Sequence, residues 1–282
     1  MSGGGRRRFE GLALLVTGST GMAADAALAL AAEGASILVA SRRPENARAL
    51  AERIVAGGGR AAWHGGDLAT EPVADEAVAA CVAAFGRLDA LYGVAGMSAR
   101  RDGDGRLDEM TLAGWETALR ANATSQFLVC RAAVRAMLAQ APRPLRLGDG
   151  STDPARTTRG TLLTMSSALA RHPSPDHFGT HGYAAAKGAI ESFTRAVAAA
   201  YAADGIRANA IAPSLVTTPM SGRATGDPAI LGYLRGKQPL AGGPLQPGDV
   251  TEVALHLLSD EARMVTGQVV AVDGGWSVAE GR

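Results

Sequence analysis

The apolar run Leu12-Ala13-Leu14-Leu15-Val16 passes directly into Thr17-Gly18-Ser19-Thr20-Gly21, and residues 22–33 then read as an Ala/Leu helix stopped by Gly34. A short run without polar alternation is buried on both faces, and a glycine turn that opens a helix is the first half of a βαβ unit. The same pattern follows at once. Residues 36–40 give a second buried strand, 45–56 a second helix, and Gly57-Gly58-Gly59 its stop. Further strands are expected at 61–64, 88–94, 160–165, 206–211 and 268–272, with helices near 72–85, 111–139, 183–203 and 249–259. Such alternation confines the chain to a parallel sheet covered by helices on both faces.

The expected fold class is therefore α/β, a single Rossmann-type doubly wound parallel sheet. A chain of 282 residues suits one large domain, and no stretch reads as a linker between halves. Residues 1–10, with Arg6-Arg7-Arg8, are expected to be a solvated tail, since no apolar signal core follows, and 11–282 to be the dinucleotide-binding domain. Residues 141–159 are rich in Pro, Arg, Gly and Thr and lack an apolar period, so they read as a loop insertion, in part disordered, at the edge formed by the strand N-termini. The connections 97–110, 169–182 and 213–249 run from strand to helix and belong to the opposite edge, where open α/β sheets bind ligands.

A net charge of +1 speaks against general attraction to nucleic acid or an anionic membrane, so the expected partner is a small molecule. Apolar stretches are broken by charge or glycine before the roughly 20 residues needed to cross a bilayer. Cys81 and Cys130 fall within helical patterns and read as core thiols, which suits a reducing cytoplasm.

A glycine turn between strand and helix lets backbone N–H groups approach a pyrophosphate at the helix N-terminus, and Gly18, Gly21 and Ala24 fit that role. About twenty residues on, where an acid would meet the ribose hydroxyls of NAD, the chain has Ser41-Arg42-Arg43. Two guanidinium groups beside a neutral serine suit the 2′-phosphate of NADP(H), favoured over NAD(H). In Tyr183-Ala184-Ala185-Ala186-Lys187, phenol and ammonium share one helix face and form a unit able to move a proton. A neighbouring ammonium is expected to lower the phenol pKa from about 10. The loop 172–181 holds His172, His177, His181 and Asp176, yet its prolines and glycine impose no tetrahedral clamp; no metal is expected, and the loop reads as a polar wall of the substrate site.

With these residues placed, the chain resembles the short-chain dehydrogenase/reductase family from residue 11 to about 277. Thr17-Gly18-Ser19-Thr20-Gly21-Met22-Ala23 resembles the family's glycine turn, and Asp67-Leu68 its adenine-side acidic pair. Asn122 resembles its central-helix asparagine, and Ser166-Ser167, Tyr183 and Lys187 its catalytic set. Asn209-Ala210-Ile211-Ala212-Pro213-Ser214 resembles the strand and turn near the nicotinamide, with Val216 and Thr218 beside the carboxamide, and Val272-Asp273-Gly274-Gly275 the C-terminal signature. The chain departs from the pattern in three places. Its glycine turn is one residue short of the common form. Gly93-Val94-Ala95-Gly96 replaces Asn-Asn-Ala-Gly, which removes two amide side chains. Sixteen positions separate Ser167 from Tyr183, about three more than usual, an insertion that a surface loop absorbs.

The resemblance implies an NADP(H)-dependent oxidoreductase that reduces a ketone to a secondary alcohol, or the reverse. Tyr183 would be the proton donor, Ser167 would orient the substrate oxygen, and Lys187 would steady the tyrosinate and grip the nicotinamide ribose. Asn122 would hold a water leading to solvent. Ala95 and Gly96 would line the cofactor. The alternatives are a non-redox dehydratase or isomerase and, further off, a nucleotide-binding sensor. The resemblance also implies a homodimer or homotetramer built partly from the helices at 111–139 and 183–203.

Overall fold

A computed structural model describes residues 7–147 and 151–280. In chain order, β1 (Ala13–Thr17) leads to α1 (Met22–Ala32), β2 (Ser36–Ser41) to α2 (Pro44–Ala56), and β3 (Arg60–Gly65) to α3 (Glu71–Phe85). β4 (Ala90–Gly93) leads to α4 (Leu112–Ala118), a π-helical turn at Leu119–Thr124, and α5 (Ser125–Ala139). A hairpin of β5 (Arg143–Arg146) and β6 (Thr152–Thr158) precedes β7 (Gly160–Met165), the short α6 (Pro175–Phe178) and α7 (His181–Tyr201). β8 (Ile206–Pro213) leads to α8 (Gly222–Thr225), α9 (Pro228–Lys237) and α10 (Pro247–Leu258), and β9 (Val269–Val272) closes the sheet.

The seven-stranded sheet has the order β3-β2-β1-β4-β7-β8-β9, and every pair in it is parallel. The uninterrupted apolar strands explain this arrangement, because successive side chains supply two cores. Leu14, Val16, Ile37 and Val39 face a cluster with α1 and α10, whereas Ala13, Leu15, Leu38 and Ala40 face one with α3, α5 and α7. Chain order reverses between β1 and β4, which opens a crevice at their C-terminal ends.

Two expectations at the edges need correction. The tail ends earlier than residue 10: Phe9 is wholly buried, and both guanidinium arms of Arg8 donate to the Glu33 carboxylate. An aromatic ring beside a paired arginine gains more from the core than from solvent. Residues 1–6, including Arg6, lie outside the described residues.

The 141–159 segment is an antiparallel hairpin rather than a bare loop, although 148–150 lie outside the described residues. Its strands are mostly exposed, so no buried face imposed an apolar period on the sequence. Arg143 anchors it through Asp260 at 2.6 Å and Asp89 at 3.1 Å, both reached only by folding. The hairpin lies where β7 begins, with Arg159 N–H donating to Gly205 O.

Candidate active site

The first turn is built for a close approach. Gly18 and Gly21 have φ of 95° and 54°, in the left-handed region that favours glycine, and Gly21 caps α1 without a side-chain hydrogen bond. The opening N–H groups of α1 are thus left for an anionic ligand. A Cβ on Gly21 would stand 2.8 Å from Thr218 Cγ2, so the 213–249 connection rests directly on the turn. The Thr17 hydroxyl accepts from Ala95 N–H at 3.0 Å, which ties the β1 turn to the β4 turn.

A cleft of about 240 Å³ follows this edge, lined by Gly18, Ser19, Thr20, Ser41, Arg42, Arg43, Asp67, Leu68, Ala95 and Gly96. These ten of the residues expected on the adenine and phosphate side are therefore brought together, whereas Gly21 and Ala24 line neither this cleft nor the next. Ser19 Oγ donates to Ser41 Oγ at 3.0 Å, joining the glycine turn to the end of β2. Arg42 reaches the Met97 sulfur, at 3.7 Å, and both arginines are exposed. Burial works against the charge on Asp67, but the Ala69 N–H, Arg120 at 2.7 Å and Arg42 hold its carboxyl below the usual range.

A second cleft of about 120 Å³ shares Gly96 with the first and is lined by Met22, Asn122, Ser167, Tyr183, Lys187, Pro213, Val216 and Thr218. Apart from Gly21 and Ala24, the remaining expected site residues thus meet in one place. Ser167 terminates β7 and accepts from Leu169 N–H at 3.2 Å, which fixes the turn that presents its hydroxyl. Tyr183 and Lys187 lie on the first turns of α7, with Lys187 Nζ 5.5 Å from the Tyr183 ring centroid. Lys187 Nζ donates to Met165 O at 2.8 Å.

The acidity of this pair departs from the sequence expectation. Burial pushes the Tyr183 phenol up to about 12, with the Ser167 hydroxyl working against it. Burial likewise lowers Lys187 to about 7. Desolvation disfavours both charged forms, so the lysine does not acidify the phenol in the ligand-free protein.

Three supporting features were not read from the sequence. Asp104, buried in the loop after β4, accepts from Gly182 N–H at 2.9 Å and Tyr183 N–H at 3.0 Å and so caps α7 at Tyr183. An acid in a glycine-rich loop carries no local sign of a cap 78 residues away. Gln126 offers its amide to both the N–H and the C=O of Met165, at 3.1 Å each. Its Oε1 lies 3.3 Å from where a Cβ on Gly93 would stand, so this amide fills the space beside the residue that replaces the first family asparagine.

The third is the π-helical turn. The expected continuous 111–139 helix is widened at Leu119–Thr124, and Asn122 points from that turn. Its Nδ2 donates to Met97 O and Ala118 O, each at 2.9 Å, and its Oδ1 accepts from Met97 N–H at 3.2 Å. Both amide protons are therefore spent on backbone, and one Oδ1 lone pair is left. A Cβ on Gly96 would lie 2.5 Å from that oxygen, which explains a glycine there.

The histidine loop does not line either cleft. His177 stacks on Tyr233 at 4.4 Å, His181 Nδ1 sits 2.7 Å from Gly105 O, and the His172 carbonyl accepts from the Trp276 indole. The His177 and His181 imidazoles go to separate neighbours, and the loop packs on Tyr233 and Trp276 instead of forming a polar substrate wall. Among the described residues no group of three His, Cys, Asp or Glu converges as a metal site. Cys81 and Cys130 are buried and unpaired, and burial pushes both thiols up to about 12.

A parallel sheet with a glycine turn at its switch point and a Ser/Tyr/Lys cluster beside it defines a nicotinamide-dependent oxidoreductase. The family model described as enoyl-(acyl carrier protein) reductase matches residues 16–277, and the chain belongs to the short-chain dehydrogenase/reductase family. It is 31% identical over 268 residues to a 2,5-dichloro-2,5-cyclohexadiene-1,4-diol dehydrogenase of Sphingobium indicum, covering 95% of this chain and 96% of that one. It is 30% identical to a cis-4-hydroxycyclohexanecarboxylate dehydrogenase of Sinomonas cyclohexanicum, covering 95% and 97%. A solved structure from Beutenbergia cavernae, provisionally assigned as an NAD(P)-dependent gluconate 5-dehydrogenase with NADP at low occupancy, superposes with a TM-score of 0.80. That chain is 30% identical, and the match covers 96% of this chain and 98% of the other. The protein is an enzyme of this family, acting between CH–OH and C=O on a small molecule.

Proposed function

We propose that the protein interconverts a ketone and a secondary alcohol with NADP(H), and that Tyr183 is the proton donor. The carrying observation is the continuity of the two clefts through Gly96, which sets Ser41-Arg42-Arg43 at one end and Ser167, Tyr183 and Lys187 at the other. The residues present fit the cofactor: glycines where a Cβ would intrude, uncapped N–H groups on α1, and two exposed arginines that make no salt bridge among the described residues. Gly18, Ser19, Thr20, Gly21 and Met22 would hold the pyrophosphate, Arg42 and Arg43 the 2′-phosphate, Asp67 and Leu68 the adenine. Pro213, Val216 and Thr218 would hold the nicotinamide end. Bound there, the nicotinamide supplies or accepts the hydride.

Ser167 orients the substrate oxygen, and Tyr183, protonated at neutral pH and held further so by burial, gives its phenolic proton to the developing alkoxide. Lys187 and the remaining Asn122 lone pair then lead a replacement proton inward. Since Lys187 sits near 7, it exchanges protons readily under neutral conditions. The test is nicotinamide absorbance followed against a panel of ketones and secondary alcohols. Tyr183→Phe should lower kcat by about 10²- to 10⁴-fold with cofactor Kd unchanged. Turnover without an absorbance change, or an unimpaired Tyr183→Phe enzyme, would defeat the reading.

The same reading extends to assembly and place. Phe127 on α5 and Phe193 on α7 meet edge to face, 6.1 Å apart, beside an apolar groove formed with Ala123, Ala189 and Ile190. That surface supports a homodimer or homotetramer closed across α5 and α7. The two buried, unpaired thiols support a cytoplasmic location. Among the described residues no helix is long and apolar enough to cross a membrane.

A further inference from the structure

The segment leading into Tyr183 is held from outside by two arginines. Arg100 Nη2 donates to Gly179 O and Arg223 Nη2 to His177 O, each at 3.4 Å. They arrive from different parts of the chain. Arg100 stands four residues beyond Gly96, and Arg223 belongs to α8, two residues beyond Ser221. Gly96 and Ser221 both line the Tyr183 cleft, and the two guanidinium groups meet over the 177–179 backbone that leads into Tyr183.

Their binding capacity is largely unspent. Both carbonyl contacts are long and exposed, and a guanidinium carries five N–H donors in a planar fork. Neither arginine has a salt-bridge partner among the described residues. Arg100 is drawn below its ordinary value by burial first and then by the charge of Arg223, with Asp104 opposing. Asp104 makes no salt bridge to either arginine among the described residues; its two carboxylate oxygens accept the Gly182 and Tyr183 amides. Two like charges brought together without an intervening acid repel, and a carboxylate or phosphate placed between them removes that cost through bidentate bonds.

We propose that Arg100 and Arg223 form an anion-holding subsite of the substrate pocket, so that the alcohol or ketone handled at Tyr183 carries a carboxylate or phosphate away from its reacting carbon. This rests on the reading of the Tyr183 cleft as the hydride-transfer site. If the arginines served only to clasp the 175–181 loop, charged and neutral substrates would respond alike to their removal.

Three probes of similar size separate these cases: gluconate, glucose 6-phosphate and neutral glucitol, titrated calorimetrically into the NADP-saturated enzyme. At least one anion is expected to bind about tenfold more tightly than glucitol, a modest ratio because the site is partly exposed to solvent. Which anion it is identifies the head group. Arg100→Gln/Arg223→Gln should abolish that preference while melting temperature and NADPH affinity hold, and Arg100→Lys/Arg223→Lys should restore part of it. Absence of anion binding, glucitol binding as tightly as either anion, or a preference that survives the double glutamine variant would overturn the proposal. The single glutamine variants supply the same reading should the double variant fold poorly. Loss of any nicotinamide absorbance change would instead strike the hydride-transfer reading and leave the anion titration interpretable.

Discussion

Lys187 is placed where its charge is most costly: almost wholly buried, with one carbonyl as its hydrogen-bond partner. The Tyr/Lys spacing was legible in the sequence, but the sense of the pKa shifts was not, because desolvation depends on what the fold packs around the pair. Folded, Lys187 gives up its proton near 7; unfolded, near its ordinary 10.5. Between those values the unfolded chain holds the extra proton, so this residue's contribution makes stability rise with pH across the interval. Melting curves without cofactor should show the wild type gaining on Lys187→Met as pH is raised from about 7 to about 9.5. A constant or widening deficit would contradict the burial argument. Arg42 and Arg43 were legible for the opposite reason, since a charge beside a short strand needs no tertiary contact to declare itself. Replacing both with alanine should weaken NADPH by about 10- to 100-fold while NADH changes little, measured by titration of each cofactor. Equal losses would remove the claim of selectivity.

Elements carry the geometry that single residues cannot. α7 begins at His181, and the Asp104 carboxylate takes the N–H groups of its first turn, so the loop after β4 sets the position of Tyr183. Asp104→Ala should cost about 1–2 kcal/mol of stability in denaturant unfolding, the usual range for a lost cap, and lower kcat more than it raises KM. Asp104→Asn, which keeps an acceptor, should recover part of both. If Asp104→Ala leaves kcat intact, the cap is structural only. The π-helical turn and the Gln126 bridge belong to the same scale. Periodicity marked one helix over 111–139, but a single extra residue in a turn leaves the apolar rhythm almost unchanged and escapes a pattern of 3.6. The β5–β6 hairpin escaped because exposed strands need no alternation.

At the scale of the whole molecule, seven parallel strands bring residues from six separate loops to one edge. α5 and α7 together carry a surface apolar groove at Phe127 and Phe193. Phe193→Glu should shift sedimentation toward the monomer, since a carboxylate cannot be buried unpaired in such a contact. An unchanged assembly would place the interface elsewhere. The sequence by itself determined the alternation of strands and helices, the glycine turn, the arginine pair at the end of β2 and the order of Ser167, Tyr183 and Lys187, because each is written in neighbouring residues and their periodicity. Only the tertiary structure decided what surrounds them: Asp104 under α7, Gln126 in place of a missing asparagine, Phe9 in the core, and a lysine whose pKa burial lowers. These depend on partners far apart in the chain, and both burial and long-range hydrogen bonding come into being only when the sheet closes.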